Sequence, residues 1–216
     1  MDDPVEAFRE MYRATKIPPS YRGKLHLALT TTLTVGGALV ALSQVHAPSL
    51  AQLLTVPVAF LVANVTEYLG HRYPMHRRFR GLEAVFHRHA ATHHRFFVAT
   101  HMLGRDDRDW HVTLFGPVLL LFFGLVGAGL AGLLFLAAGP TVGWLFVATA
   151  LLYFVVYEWL HLSYHVAPDS PLHRLPGLAA LSRHHRIHHD PRRMAKCNFN
   201  ISFPLVDAVM GTGERE

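Results

Sequence analysis

The chain alternates long apolar stretches with short polar ones. From Leu25 to Thr66 there is no Asp, Glu, Lys or Arg, and from His111 to Tyr157 there is none either. Crossing the hydrocarbon core takes about 20 apolar residues as helix, so each stretch holds two crossings. A turn falls inside each of them. Ala47-Pro48-Ser49 interrupts the first and Gly139-Pro140 the second, where Pro suits the first position of a new helix. The pattern predicts spans near 25–46, 49–70, 112–137 and 141–161, paired as two helical hairpins. Ahead of them Val5, Phe8, Met11 and Tyr12 stand at helical spacing. They predict either a short interfacial helix or a frayed tail. The expected fold is all-α: an integral membrane four-helix bundle with a helical cap, one domain over 1–216.

Composition agrees with the pattern. Apolar residues make up 51% of the 216 and charged ones 16%, with a mean hydropathy of +0.23. An ordinary soluble domain carries roughly 25% charge. Basic residues set the sidedness. Five Lys/Arg fall in 1–24, eight in 71–111 and seven in 162–216, together all twenty in the chain. The turns at the far ends of the hairpins have none. Positive charge stays cytosolic, so those three segments and both termini are expected in the cytosol. The N-terminus reaches no apolar run before Leu25 and does not read as a cleavable signal. The formal charge of +5 suits anionic headgroups and not nucleic acid. Cys197 is the sole cysteine, which excludes an intrachain disulfide and a Cys-based zinc or iron–sulfur site. The small residues Gly124, Gly127, Ala128, Gly129 and Gly132 are expected to let the third span pack closely on a neighbour.

Histidine is the anomaly, at seventeen residues, twelve of them in four clusters. The clusters are His71/His76, His87/His89/His93/His94, His161/His165 and His184/His185/His188/His189, all on the expected cytosolic side. His161 and His165 stand four apart and share a helix face, as do His89 and His93, and His185 and His189. The neighbouring ring of each doublet, His94 or His188, points about 100° away, towards a second ion. His71 and His76 stand five apart and would diverge on a straight helix. Pro74 between them is expected to end or kink it and let His76 swing back. Neutral imidazole suits iron, zinc or copper. His26, His46, His101 and His111 stand alone and read as interfacial or hydrogen-bonding residues. Glu67 and Glu158 sit in the last turn of a span, just before His71 and His161. An unpaired carboxylate is expensive there, so both are expected to accept N–H groups from ligating rings, ahead of simple solvation at headgroup level.

These clusters resemble the fatty acid hydroxylase/sterol desaturase superfamily, integral membrane non-haem di-iron enzymes. Its pattern is H-x3-4-H, H-x2-3-HH, H-x3-H, H-x2-3-HH. Here it is met by His71/His76, His89/His93/His94, His161/His165 and His185/His188/His189. The approach Glu67-Tyr68-Leu69-Gly70-His71-Arg72 is similar as well. So is the closing stretch from Asn198-Phe199-Asn200 to Thr212, although Val206 and Met210 replace the usual Trp and Phe. The resemblance implies that those ten histidines hold two iron ions, which zinc can replace in a purified sample. His87, His184 and His173 stand in reserve, and Asn198 is a candidate to support the ligands or simply to turn the chain. Asp207 reads as structural, for instance as a cap.

The implied chemistry uses O2 as co-substrate to hydroxylate an unactivated C–H bond of a membrane lipid, a fatty acyl chain before a sterol-like or carotenoid one. Desaturation is the variant within the superfamily. The 24 residues before the first span are too few for a fused cytochrome, so a separate donor is expected, a ferredoxin or cytochrome with its reductase. Arg77, Arg78, Arg80, Arg192 and Arg193 would suit an acidic donor or anionic headgroups equally. No pattern in the chain sets an oligomeric state. A bacterial inner membrane is favoured, or the endoplasmic reticulum in a eukaryote. The rival from another class is a membrane metal-binding or transport protein. Transport needs ionisable groups near mid-membrane, and these spans carry almost none. A haem-carrying bundle would put paired histidines inside the spans, and here they sit at the ends.

Overall fold

A computed structural model of the chain describes residues 3–167 and 175–214. The described residues are all-helical and form no strand. Four helical stretches are long and apolar enough to cross a membrane: Gly23–Ser43, Leu50–Met75, Trp110–Ala138 and Pro140–Ser163. The shortest has 21 residues, about 31 Å of helix at about 1.5 Å per residue. Their outward faces are apolar, with Leu33 73% and Leu136 88% exposed. Such a belt needs lipid as its solvent.

The helix ends follow local chemistry. Helix α1 (Pro4–Thr15) opens on Asp3, whose side chain accepts from Val5 N at 2.9 Å. Helix α2 is Gly23–Ser43. After the turn, Ser49 and Gln52 form a reciprocal capping box on the one-turn helix α3 (Leu50–Leu53). Helix α4 (Thr55–Gly70) runs on into a π-helical turn, His71–Met75. Helix α5 (Glu83–Arg88) likewise leads into a π-helical turn, His89–His93, and then α6 (His94–Phe96). Helix α7 (Trp110–Thr113) precedes α8 (Pro117–Ala138), and α9 (Pro140–Ser163) follows Gly139, with Pro140 at its first position. Gly139 has φ +85°, a turn conformation that glycine adopts without strain. Helices α10 (Leu178–His188) and α11 (Leu205–Met210) complete the chain.

The bundle departs from two separate hairpins. Helices α8 and α9 do pack as a pair, but α2 and α4 pack on α9 instead of on each other. Helix α9 is the central post. Small residues on α2 explain this: Ala38 and Ala41 are buried, and a Cβ on Gly37 would stand 3.2 Å from Leu151 of α9. The small residues of α8 also behave differently from expectation. A Cβ at Gly124, Gly127, Gly129 or Gly132 would meet nothing within 4 Å. Close packing falls elsewhere, at Gly143 against Phe135 and at Gly70 against Phe123. Gly124, Gly127, Ala128 and Gly132 instead line a cavity of about 690 Å³ between α4, α8 and α9. Helix α1 is ordered against protein. Its Phe8 packs on Phe96, Phe97 and Val112, at the end of the bundle that carries the histidines.

Candidate metal centre

Ten histidines meet at that end, and each is buried. His71, His76, His89, His94 and His188 bring one nitrogen each within 4.8 Å of one another. His93, His165, His185 and His189 do the same in a second cluster. His161 stands at the edge of the second, its Nε2 3.1 Å from His93 Nε2. Each doublet is divided: His94 and His188 belong to the first cluster, His93 and His189 to the second.

Local backbone geometry decides which ring goes where. The i→i+5 hydrogen bonding of a π-helical turn brings residues five apart onto one face. The turn His71–Met75 therefore delivers His71 and His76 together, with Pro74 inside it. The kink read from Pro74 is this turn. The turn His89–His93 pairs His89 with His94, whose Nε2 atoms lie 3.0 Å apart. His93 is sent to the other cluster, so the four-residue pairing of His89 with His93 does not hold. It does hold on α10, where His185 and His189 bring Nε2 atoms to 2.9 Å.

The other ring nitrogen is held by backbone. His71 Nδ1 meets Phe199 O at 2.5 Å and His188 Nδ1 meets Cys197 O at 2.8 Å. In the second cluster His189 donates to Phe97 O at 2.5 Å, His165 to Met102 O at 2.9 Å and His93 to Val112 O at 3.2 Å. A carbonyl only accepts, so each of these Nδ1 atoms carries the proton and each Nε2 presents a lone pair inward. Glu67 and Glu158 do not take this part. Glu67 accepts from Ser202 N at 3.0 Å, Ser202 Oγ at 2.5 Å, Ile201 N and Tyr153 OH. Glu158 accepts from Phe115 N at 3.1 Å. Carboxylates at these depths satisfy backbone N–H groups at helix breaks, which have no other acceptor nearby. Asn198 binds His184 O at 2.9 Å and Glu214 N at 2.7 Å, shaping the turn between the Cys197 and Phe199 carbonyls.

The donor set fits metal ions. In the second cluster three inward lone pairs, from His93, His165 and His189, face only two rings that could supply a proton, His185 and His161. His185 offers one Nε2 proton to the lone pairs of both His165 and His189, which leaves those lone pairs partly opposed. Among the described residues the Nδ1 atoms of His76, His94, His161 and His185 have no hydrogen-bond partner. Cations between the rings would remove the repulsion. A zinc–imidazole bond is about 2.0–2.1 Å, so the nitrogens around one ion stand about 3–4 Å from each other. The nitrogens of each cluster, all within 4.8 Å of one another, suit that spread. Burial, reinforced by neighbouring rings, pushes His76, His89, His93, His94, His185, His188 and His189 well below the ordinary histidine range. Burial also takes His165 down to about 3. These rings are neutral at physiological pH, as metal binding requires.

The reserve residues lie apart. His87 is exposed. His184 faces Asp207 at 3.3 Å instead of a cluster. His173 lies outside the described residues. Asp207 is a hub, accepting from Phe199 N at 3.0 Å, Asn200 N at 2.7 Å and Thr212 Oγ1 at 2.7 Å. Of the lone histidines, His26 bonds Tyr21 OH at 2.9 Å and His101 pairs with Asp3 at 2.7 Å.

The 690 Å³ cavity approaches this centre and stops short of the histidines. Its walls are apolar, with Glu67, Tyr153 and Tyr157 at one end. Phe115 and Tyr157, ring centroids 5.2 Å apart, also line a small void beside His89, His93 and His161. Two aromatic rings thus stand between the chamber and the histidines.

A helical protein with membrane-length spans and a doubled nest of buried histidines belongs to the membrane-bound hydroxylase and desaturase class of oxidoreductases. The chain belongs to the fatty acid hydroxylase family, whose model matches residues 56–212, within the fatty acid hydroxylase/sterol desaturase superfamily. No curated protein and no solved structure matches it.

Proposed function

We propose that the protein is an O2-dependent, di-iron lipid hydroxylase that takes an apolar chain from the bilayer into the cavity between α4, α8 and α9. One observation carries this reading. Two buried nests of neutral imidazoles lie directly past the Phe115–Tyr157 end of an apolar chamber. Bound iron would supply O2 activation and removal of hydrogen from an unactivated C–H bond. The balance is R–H, O2, two electrons and two protons giving R–OH and water. The electrons come from a separate ferredoxin or cytochrome docking on the arginine-rich face.

The chain's own residues set the conditions. His71, His76, His89, His94 and His188 would hold one ion, and His93, His165, His185 and His189, with His161 beside them, the other. Backbone carbonyls fix the five Nδ1–H tautomers. Glu158 holds the Phe115 amide, and so the ring that closes the chamber on the histidine side. Glu67 ties Tyr153 of α9 to the 201–202 segment, closing the polar end against water. The apolar walls align the substrate chain along α8. The histidine layer faces the cytosol of a multi-pass membrane protein.

The test compares total lipids, by mass spectrometry, from cells expressing the chain and cells expressing His188→Ala. The expected result is a lipid heavier by one oxygen in the first sample alone, with both proteins in the membrane and two irons per chain only in the wild type. A species lighter by two hydrogens would make it a desaturase. Turnover retained in His188→Ala would sink the assignment.

A further inference from the structure

The carbonyls that orient the ligands come from separate stretches of chain, and the two ends of the protein hold them apart. The second cluster depends on the loop from Phe96 to Met102. That loop supplies Phe97 O to His189 and Met102 O to His165. It also takes His189 O on Ala99 N at 3.1 Å. Its anchor is Arg9 of α1, which donates from Nε to Phe96 O at 2.7 Å and from its NH2 group to His101 O at 2.5 Å. The guanidinium also lies over the rings of Phe96 and Phe97, at 5.1 Å and 5.4 Å. Arg9 is 5% exposed. Glu6 at 3.4 Å supports it from the same helix.

The first cluster depends on a different stretch. Cys197 O holds His188 and Phe199 O holds His71. Asp207 fixes that turn through the amides of Phe199 and Asn200. Asn198 fixes it from its other side through Glu214.

From this division we infer that the two metal sites are secured independently. Arg9 of the N-terminal helix is the positioning residue for the second site, and Asp207 near the C-terminus is that for the first. The inference rests on reading the two clusters as metal sites. An arginine suits its place because its planar fork fixes separate N–H donors towards two carbonyls, a geometry that a lysine's compact ammonium does not preorganise. Its effect passes through the loop to two ring orientations. Loss of an outer hydrogen bond to a ligand weakens metal affinity by about 10–100-fold.

The experiment uses the full chain, purified with iron in detergent. Metal content is followed during chelator titration, and spin coupling by electron paramagnetic resonance. Wild type is measured first: failure to hold two ions counts against the proposed function itself. Given two, Arg9→Ala is expected to release one ion at about 10–100-fold lower chelator concentration. The other stays, now uncoupled. Adding His188→Ala to Arg9→Ala removes the remaining ion, whereas adding His189→Ala changes little. Asp207→Asn gives the mirror result. Arg9→Lys keeps one hydrogen bond and the helix, so it separates positioning from folding: it lowers affinity at the second site only, with an unchanged circular dichroism spectrum. Two ions held as tightly in Arg9→Lys and Arg9→Ala as in wild type, or equal loss from both sites in folded Arg9→Lys, would overturn the inference.

Discussion

At the scale of single residues, the ion pair between Arg13 and Asp109 ties α1 to the loop before α7. The guanidinium meets the carboxylate in a fork, Nε to Oδ1 at 2.9 Å and NH2 to Oδ2 at 2.7 Å, with side chains 6% and 1% exposed. Asp109 also accepts from Arg105 N at 2.7 Å. Removing one partner of a buried pair leaves an uncompensated charge, at about 3–5 kcal/mol. Arg13→Ala should therefore lose about that much stability, measured by unfolding in detergent at neutral pH. The pH dependence has a definite sign. Burial raises the Asp109 pKa, but Arg13 and the Arg105 amide outweigh it and hold the carboxyl below its ordinary value of 3.8. A depressed pKa stabilises above the unfolded value, and the contribution is lost as pH falls through the folded one. The gap between Arg13→Ala and wild type should narrow below about pH 4. An unchanged gap at pH 3 would contradict this account. The pair was not legible beforehand, since Arg13 and Asp109 stand 96 positions apart in one sequence. The grouping of the histidines was legible, because side chains that share a helix face repeat at a fixed spacing. Their backbone acceptors leave none, since every residue has a carbonyl.

At the scale of elements, turns and ends were readable and lateral partners were not. Gly139-Pro140 marks the break between α8 and α9 with a backbone requirement that few residues meet. The choice of α9 as a common post depends on which small faces meet, and apolar spans look alike all round. The two π-helical turns escaped for a related reason: a five-residue spacing reads as divergence on an α-helix, when here it is what brings rings together. The glycines of α8 make the same point. Small residues predict close packing, yet these face a chamber. Gly127→Leu tests it directly. A Cβ there meets nothing within 4 Å, so the side chain should enter the cavity without displacing a neighbour. Leucine in place of a mid-helix glycine should add about 0.5–1 kcal/mol of stability. Iron content should stay at the wild-type value, while conversion of long-chain lipid falls at least about tenfold, about 1.4 kcal/mol of lost productive binding. Unimpaired long-chain conversion in this variant would show that the substrate does not run along α8.

At the scale of the whole molecule, the distribution of charge is the simplest organising fact. The 44–49 turn and the Gly139-Pro140 turn carry no Lys or Arg, and every Lys and Arg of the sequence falls in the three segments 1–24, 71–111 and 162–216. Arginines crowd the rim of that end: the guanidinium of Arg77 lies over Tyr73, that of Arg78 over Phe86, and Arg192 is 89% exposed. Such segregation fixes orientation during insertion, because moving a cluster of cations across the bilayer is opposed by both desolvation and the membrane potential. A ligand layer on the cytosolic side would also meet a soluble reductant there. Cys197 is 1% exposed and makes this testable with little background labelling. In intact cells, Gln44→Cys, exposed on the 44–49 turn, should react with a membrane-impermeant maleimide. Arg192→Cys should react only after the membrane is permeabilised. The reverse pattern would put the histidine clusters on the outer face, where the proposed enzyme would need a different electron source, and would require positive charge to have crossed against the field.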